Sequence, residues 1–114
     1  MFSGAASRRA LPGMVNVAAV NGAIDAVVGP LALELAPTRV NAVAPGMLDT
    51  PYYEGMSTEA RRALFDNMGK MLPAGRVGTA HDIAAAVLFL AGNSYVTGIV
   101  LEVDGGIRQA SLRT

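Results

Sequence analysis

Few side chains in this 114-residue sequence are equipped for chemistry, and their scarcity narrows what the chain can be. There is no Cys, which excludes disulfides, thiolate catalysis and Cys-ligated metal. His81 is the only His, so no His-based zinc cluster can be built, and no metal ligands are expected. Its position reads simply as the first turn of a helix. Pro45-Gly46 ends a short β-prone run, and ligands in open α/β sheets bind just past such carboxyl ends. Asp49 and Glu54 are close in sequence on the loop that follows. They form no recognisable carboxylate dyad, and no nucleophile–base pair lies near them. A distinct enzyme built on the Pro45–Tyr53 loop is therefore the weakest of three readings. Asn41, before the Pro-Gly turn, reads most simply as bonding local backbone.

The elements that must position these residues follow from periodicity. Met1 to Gly4 reads as the end of a strand, and Ser7 to Gly13 as a loop. Val15, Ala18, Ala19, Gly22, Ala23, Ala26, Val27, Leu31 and Leu35 recur at spacings of three and four, which predicts an amphipathic helix with that face inward. Gly29-Pro30 interrupts it, and a kink is expected because proline in a helix interior costs roughly 3 kcal/mol. Arg39 to Ala44 is a predicted strand, and Met47 to Gly55 a loop. Ser57 caps a predicted helix from Thr58 to about Met71. Thr79 caps another through about Ala91, with Asp82 completing a capping box. Ile99 to Val103 is a predicted strand. Asp104-Gly105-Gly106 then turns the chain, by positive φ, into a polar tail. This strand–helix rhythm predicts an α/β fold with a parallel sheet and right-handed crossovers.

An ordered set of motifs carries a family resemblance. Leu33-Glu34-Leu35-Ala36-Pro37, Arg39-Val40-Asn41-Ala42-Val43 and Pro45-Gly46-Met47-Leu48-Asp49-Thr50 come first. Gly75-Arg76-Val77-Gly78, Asp82-Ile83-Ala84, Thr97-Gly98 and Val103-Asp104-Gly105-Gly106 follow. Together they resemble the C-terminal half of the short-chain dehydrogenases/reductases, whose fold is a Rossmann-type, doubly wound parallel sheet. The expectation is one incomplete domain over residues 1–114, lacking the N-terminal βαβ half. The resemblance implies an NAD(P)-dependent oxidoreductase of carbonyl and alcohol substrates. It implies that Pro45, Gly46, the Leu48 backbone and the Thr50 hydroxyl hold the nicotinamide carboxamide of NAD or NADP. A carboxamide needs one donor and one acceptor at fixed separation, which a backbone N–H and a hydroxyl supply. Met47 to Met71, with Tyr52, Tyr53, Met56, Phe65, Met68 and Met71, resembles the family's substrate lid. The same residues read equally well as the buried face of a helix.

The pattern breaks at the reacting groups. The family pairs a Tyr general acid with a Lys four residues later, which binds the cofactor ribose and lowers the Tyr pKa. Those positions fall on Val17 and Asn21. Asn21 can still bond a ribose hydroxyl but brings no charge. The only Tyr residues are Tyr52, Tyr53 and Tyr95, and the only Lys is Lys70, so no displaced pair restores the site. The family's carbonyl-polarising Ser falls on Ser3 if the following loop is one residue longer than usual, and otherwise on Gly4. The Gly-rich pyrophosphate turn of a dinucleotide-binding fold has no counterpart in these residues. The expectation is therefore a truncated chain, inactive alone, or a non-catalytic module that pairs with another chain.

Composition fits this picture. Nine basic and nine acidic residues cancel, so no net field invites nucleic acid or an anionic membrane. Apolar residues make up 52% and charged ones 16%, as suits a layered α/β fold. Ser7-Arg8-Arg9-Ala10-Leu11 superficially resembles a twin-arginine signal. Asn16, Asn21 and Asp25 break the apolar run behind it, so neither an export signal nor a membrane span is expected. The expected setting is the cytoplasm. The resemblance implies a small-molecule substrate, and a homo-oligomer or association through the Val15–Leu35 helix is expected.

Overall fold

The computed structural model describes residues 1–112. Three helices, α1 (Val15–Glu34), α2 (Thr58–Met71) and α3 (Ala80–Gly92), alternate with strands β1 (Ala42–Pro45), β2 (Leu48–Asp49), β3 (Gly78–Thr79) and β4 (Val100–Val103). β1 pairs with β4 in parallel register, Val43 opposite Leu101 and Pro45 opposite Val103. On the other edge of β1, Phe2 bridges Val43 in parallel. The Ser3 N–H donates to the Val43 carbonyl at 2.9 Å. The expected strand end at the N-terminus is therefore real, and β1 lies between two parallel neighbours.

β1 shows why this sheet is parallel and covered. Ala42, Val43 and Ala44 are all buried, as in a strand with helices on both faces. Val43 packs with Ile83 and Leu90 of α3, joined by Leu48, Val96, Leu101 and Val103. Ala42 and Ala44 point to the opposite face, where α1 meets β1.

The predicted strand over residues 39–44 shifts to 42–45 because its first residues do other work. The Arg39 guanidinium donates to the carbonyls of Leu90 (2.8 Å), Ala91 (3.0 Å) and Val96 (3.0 Å). It thus satisfies the open carbonyl end of α3 and complements its dipole. The Asn41 amide donates to the Val96 carbonyl (2.9 Å) and accepts from the Ile99 N–H (3.2 Å). Asn41 does bond backbone, but backbone more than 50 residues away rather than local. Thr97 Oγ1 accepts from the Val40 N–H at 3.1 Å, and the Gly98 N–H donates to the Val40 carbonyl at 2.7 Å. The Arg39–Asn41 and Thr97–Gly98 motifs are one clamp.

α1 corrects the predicted face. Val15, Ala19, Ala23, Ala26, Val27 and Leu35 are exposed, whereas Ala18, Asn21, Gly22, Ile24, Asp25, Val28, Gly29, Leu31 and Ala32 turn inward. The helix extends from Val15 to Glu34 with Pro30 inside it, close to the expected span. Val28 is fully buried just before that point, and Ala32 meets Gly98 just after it, so packing holds the segment in one piece. By length and composition α1 suffices to cross a membrane, although Asn16, Asn21 and Asp25 interrupt its apolar run.

Asp25 faces inward because partners await it. Its carboxylate accepts from the Ser7 hydroxyl (2.6 Å) and Arg8 Nε (3.2 Å). Arg8 also donates to Glu102 of β4 (2.5 Å), which Arg108 engages from the tail. Burial pushes the Asp25 carboxyl up, but bonds from Ser3, Ser7 and Arg8 outweigh it and leave the pKa below the usual range.

α2 and α3 begin where expected. The Ala60 N–H donates to Ser57 Oγ (3.2 Å), and the Thr79 N–H and hydroxyl donate to Asp82 Oδ2 (2.8 and 3.0 Å). His81 lies exposed in the first turn of α3. Arg76 donates to both Asp82 oxygens at 2.8 Å, and those bonds, with the Thr79 cap, hold the Asp82 carboxyl well below the ordinary range. Gly105 and Gly106 adopt the positive φ expected of the turn. The tail is not merely polar. It forms a 3-10 helix, Ile107–Leu112, with Ile107 buried, and residues 113–114 lie outside the described residues.

Arg39→Ala removes three charge-assisted bonds and should cost about 2 kcal/mol, seen as a lower midpoint in chemical denaturation, with Arg39→Lys recovering only part. Asp25 and Asp82 both have lowered folded pKa values. Their contribution is complete above the unfolded carboxylate value of about 3.9 and is lost as pH falls towards their folded values. Thermal midpoints should therefore drop steeply below about pH 4, and Asp82→Asn should flatten that drop while lowering the plateau.

Candidate functional site

The parallel register brings the carboxyl ends of the three chain segments to one edge. Phe2 opposite Val43 sets Gly4 level with Pro45, and Pro45 lies opposite Val103. Three connections leave from this edge: the 3-10 turn Ala5–Ser7, the loop from Gly46, and the Asp104-Gly105-Gly106 turn. In open α/β sheets this is the ligand-binding edge. Ser3, Pro45 and Gly46 lie there, and α1 adds Asn21. Gly46 is required by a close approach, since a Cβ on it would stand 2.6 Å from Asp104 Cα. The Gly46 N–H also donates to the Val103 carbonyl at 3.0 Å, which locks the two loops together.

The loop beyond Gly46 is more structured than its sequence suggests. Leu48 and Asp49 form β2, paired in parallel with Gly78 and Thr79, and Pro51–Tyr53 is a 3-10 turn. The Leu48 side chain packs into the α3 core, which fixes its backbone. Thr50 precedes the turn but its hydroxyl makes no cap bond, leaving that oxygen uncommitted to the helix end. Asp49 pairs with Arg61 of α2, not with Glu54 (Arg61 Nε to Oδ1, 3.1 Å). Arg61 also donates to the Thr50 carbonyl at 3.3 Å and lies 5.6 Å from the Phe65 ring centroid. Tyr53 meets Phe65 edge-on, centroids 5.2 Å apart. Arg61 is thus the brace that the sequence reading missed. The available signal was its place four residues before Phe65, on one helix face.

On α1, the Ser3 hydroxyl donates to the Asn21 carbonyl at 3.3 Å. The Asn21 side chain covers Gly4, its Nδ2 only 2.7 Å from where a Cβ would stand. Val17 lies one turn earlier on α1, half-exposed and without an ionisable group. Among the described residues, no hydrogen bond joins Ser3 or Asn21 to Leu48 or Thr50. The candidate residues therefore form two groups at one edge: Ser3 with Asn21, and Pro45 and Gly46 with Leu48 and Thr50.

α2 lies outside the main core. Gly69 is its only buried residue, Phe65 and Met68 are partly covered, and Met71 is exposed. Before it, Tyr52 is 87% exposed. A helix completing the core would bury its large apolar groups, and α2 does not.

Comparison with known proteins agrees with this geometry. A family model described as enoyl-(acyl carrier protein) reductase matches residues 1–108. The chain is 43% identical over 103 residues to the 3-oxoacyl-(acyl-carrier-protein) reductase FabG of Chlamydia muridarum, covering 87% of this chain and 40% of that protein. It is 38% identical over 104 residues to the short-chain dehydrogenase/reductase ATR9 of Stachybotrys chlorohalonatus, covering 91% of this chain and 41% of that protein. Among solved structures, a small-chain dehydrogenase in complex with NADPH superposes with a TM-score of 0.87 at 47% identity, over 94% of this chain and 49% of that one. The aldohexose dehydrogenase of Thermoplasma acidophilum gives a TM-score of 0.85 at 28% identity, over 99% of this chain and 47% of that one. The chain thus spans about two fifths of these curated relatives and about half of these solved ones. Its parallel sheet, crossed by helices on both faces and matched across residues 1–108, makes it a member of the short-chain dehydrogenase/reductase family.

Proposed function

We propose that these 114 residues are a single, incomplete domain that supplies the nicotinamide-facing and substrate-facing side of an NAD(P)-dependent oxidoreductase of carbonyls and alcohols, and do not catalyse on their own. The observation that carries this reading is the pairing of an intact carboxamide loop with Val17 and Asn21 at the family's Tyr and Lys positions. The loop suits a nicotinamide carboxamide: Gly46 admits close backbone approach, Leu48 is anchored by its side chain, and the Thr50 hydroxyl caps nothing. When bound, the dinucleotide supplies the hydride. The chain's own part is to hold the carboxamide at Leu48 and Thr50. No proton is available at Val17 and no positive charge at Asn21. The Asn21 amide against Gly4 favours Gly4 as the counterpart of the family's Ser, with Ser3 anchoring α1. Among the proposed site residues, Ser3 then serves the site by position, not by touching a carbonyl substrate. A cytoplasmic setting belongs to the same reading.

A second reading, a non-catalytic module that docks on another copy, has its own support. α1 exposes Val15 (79%), Val20 (61%) and Leu33 (82%), apolar side chains that a second copy would cover. The two readings are compatible, since a site can be held in place by a partner.

The isolated chain should show no saturable binding of NADH or NADPH in calorimetry, because a carboxamide loop alone engages too few ligand atoms to offset the cost of immobilising a dinucleotide. Fused to the N-terminal half of a relative, it should bind cofactor, yet oxidise NADPH negligibly with a panel of ketones and quinones. Val17→Tyr with Asn21→Lys in that fusion should raise turnover by roughly 10²-fold or more, the scale of general acid catalysis, while either change alone does little. Brisk turnover with Val17 and Asn21 in place would refute the assignment. Sedimentation across a concentration series should show self-association that Val20→Glu with Leu33→Glu weakens, whereas a monomer at every concentration sinks the docking reading.

A further inference from the structure

An asparagine can react with its own backbone: the nitrogen of the following residue attacks the side-chain carboxamide carbon and closes a five-membered ring. In an unfolded chain the following side chain sets the rate, because bulk hinders the approach. By that measure Asn21-Gly22 leads, Asn41-Ala42 and Asn93-Ser94 come next, and Asn16-Val17 and Asn67-Met68 trail. A folded chain adds two requirements. The asparagine ψ must be free to turn, and the attacking N–H must not already be bonded.

The fold reverses the order that the sequence sets. Asn16 and Asn21 lie inside α1 and Asn67 inside α2. A helix fixes ψ and commits the Gly22 and Met68 N–H groups to carbonyls four residues earlier. The Asn41 carboxamide is held at both ends by Val96 and Ile99, and the Ala42 N–H donates to the Ile99 carbonyl at 3.0 Å. Asn93 alone escapes these restraints among the described residues. It is the C-cap of α3, with extended backbone (φ −97°, ψ 100°). Its Oδ1 accepts from the Tyr95 N–H at 3.1 Å, an Asx turn that folds the carboxamide over the Ser94 peptide. The Ser94 N–H makes no hydrogen bond among the described residues, and Ser94 and Tyr95 are exposed to water.

We infer that Asn93-Ser94 is a self-modifying site, at which the folded chain exchanges a carboxamide for a carboxylate. The Ser94 backbone nitrogen bonds to Asn93 Cγ, the Cγ–Nδ2 bond breaks, and the nitrogen's proton leaves with Nδ2 as ammonia. Water then opens the succinimide ring at either carbonyl, giving aspartate or a β-linked isoaspartate. The Tyr95 N–H faces the oxygen on which negative charge develops during attack, so it favours the step. The product matters because this turn feeds the clamp between β1 and β4. The new carboxylate arrives at the carboxyl end of α3, where it opposes the helix dipole. There it competes with the Leu90, Ala91 and Val96 carbonyls for Arg39. The isoaspartyl link also inserts a methylene into the backbone, which shifts Thr97 and Gly98 relative to their partner Val40. The modification loosens the clamp as the protein ages.

The purified chain is incubated in mildly alkaline buffer, folded or unfolded in urea, and each asparagine is followed by peptide mapping with mass spectrometry. In the folded chain, conversion at Asn93 should exceed that at Asn21 by roughly tenfold or more, since reaction inside α1 waits on local opening of the helix. In urea the order should reverse in favour of Asn21. Asn93→Gln, which would need a larger ring, should abolish conversion at that position. Ser94→Val should slow it several-fold with the circular dichroism unchanged, so the test survives a poorly folded Asn93→Gln variant. The aged chain should melt several degrees below the fresh one, and Asn93→Asp should reproduce only the part of that loss due to charge. Conversion led by Asn21 in the folded chain, the same order with and without urea, or an aged, converted chain that melts like the fresh one would each overturn the proposal. These readouts involve no nucleotide, so they are independent of the cofactor reading.

Discussion

The placement of β1 between two parallel neighbours is the constraint on which the rest of the structure depends. It pairs on one edge with β4 along its four residues, and on the other Val43 bonds Met1 and Ser3, with helices on both faces. A strand in that position can tolerate neither a polar side chain nor a bulky one facing α1, and Ala42-Val43-Ala44 meets both demands. The parallel arrangement also sends every loop out at the same end. A ligand-binding edge is thus a consequence of strand direction before any side chain is considered.

The clamp of Arg39, Asn41 and Thr97 fixes which residues of the two strands face each other. Parallel pairing offers no tight turn to set register, because its partners are joined by long crossovers. Here Gly98 on Val40, Thr97 on Val40 and Asn41 on Ile99 set the register at the amino ends of β1 and β4. At the carboxyl ends, the close approach of Gly46 to Asp104 does the same. A slip of one residue would break both ends at once. That explains why short motifs more than 50 residues apart behave as one unit.

Charge is used differently on the two sides of the carboxyl edge. On α1, Val17 and Asn21 present an apolar and an amide side chain, and the ionised groups nearby are Asp25, Arg8 and Glu102, which pair with one another. That network joins the first loop, α1, β4 and the tail, and acts as a brace. Arg61 plays the same part for the loop carrying Leu48 and Thr50, by engaging Asp49 and the Thr50 carbonyl. The loop carrying Leu48 and Thr50 is braced at both ends, while Val17 and Asn21 carry neither an ionisable proton nor a charge.

The sequence by itself determined the elements whose signals are local. The Ser57 and Thr79 caps, the extent of α2, the positive-φ turn at Gly105-Gly106 and the α/β parallel class were legible because caps, turns and hydropathy breaks act within a few residues. The ordered motifs made the family legible too. Which face of α1 packs inward was not. The helix is apolar on several sides, so periodicity offered a stripe through Val15, Ala19 and Ala26. The real one runs through Asn21, Asp25 and Val28, where Ser7 and Arg8 bond the Asp25 carboxylate and the Ser3 hydroxyl meets the Asn21 backbone carbonyl, all from 17 or 18 residues away. The two-residue strands β2 and β3 were too short to leave a period. The reach of Asn41 to residues 96–99 and the Arg61 brace arise only when distant segments meet. Hydropathy reads a residue's neighbours along the chain; the tertiary structure decides its neighbours in space.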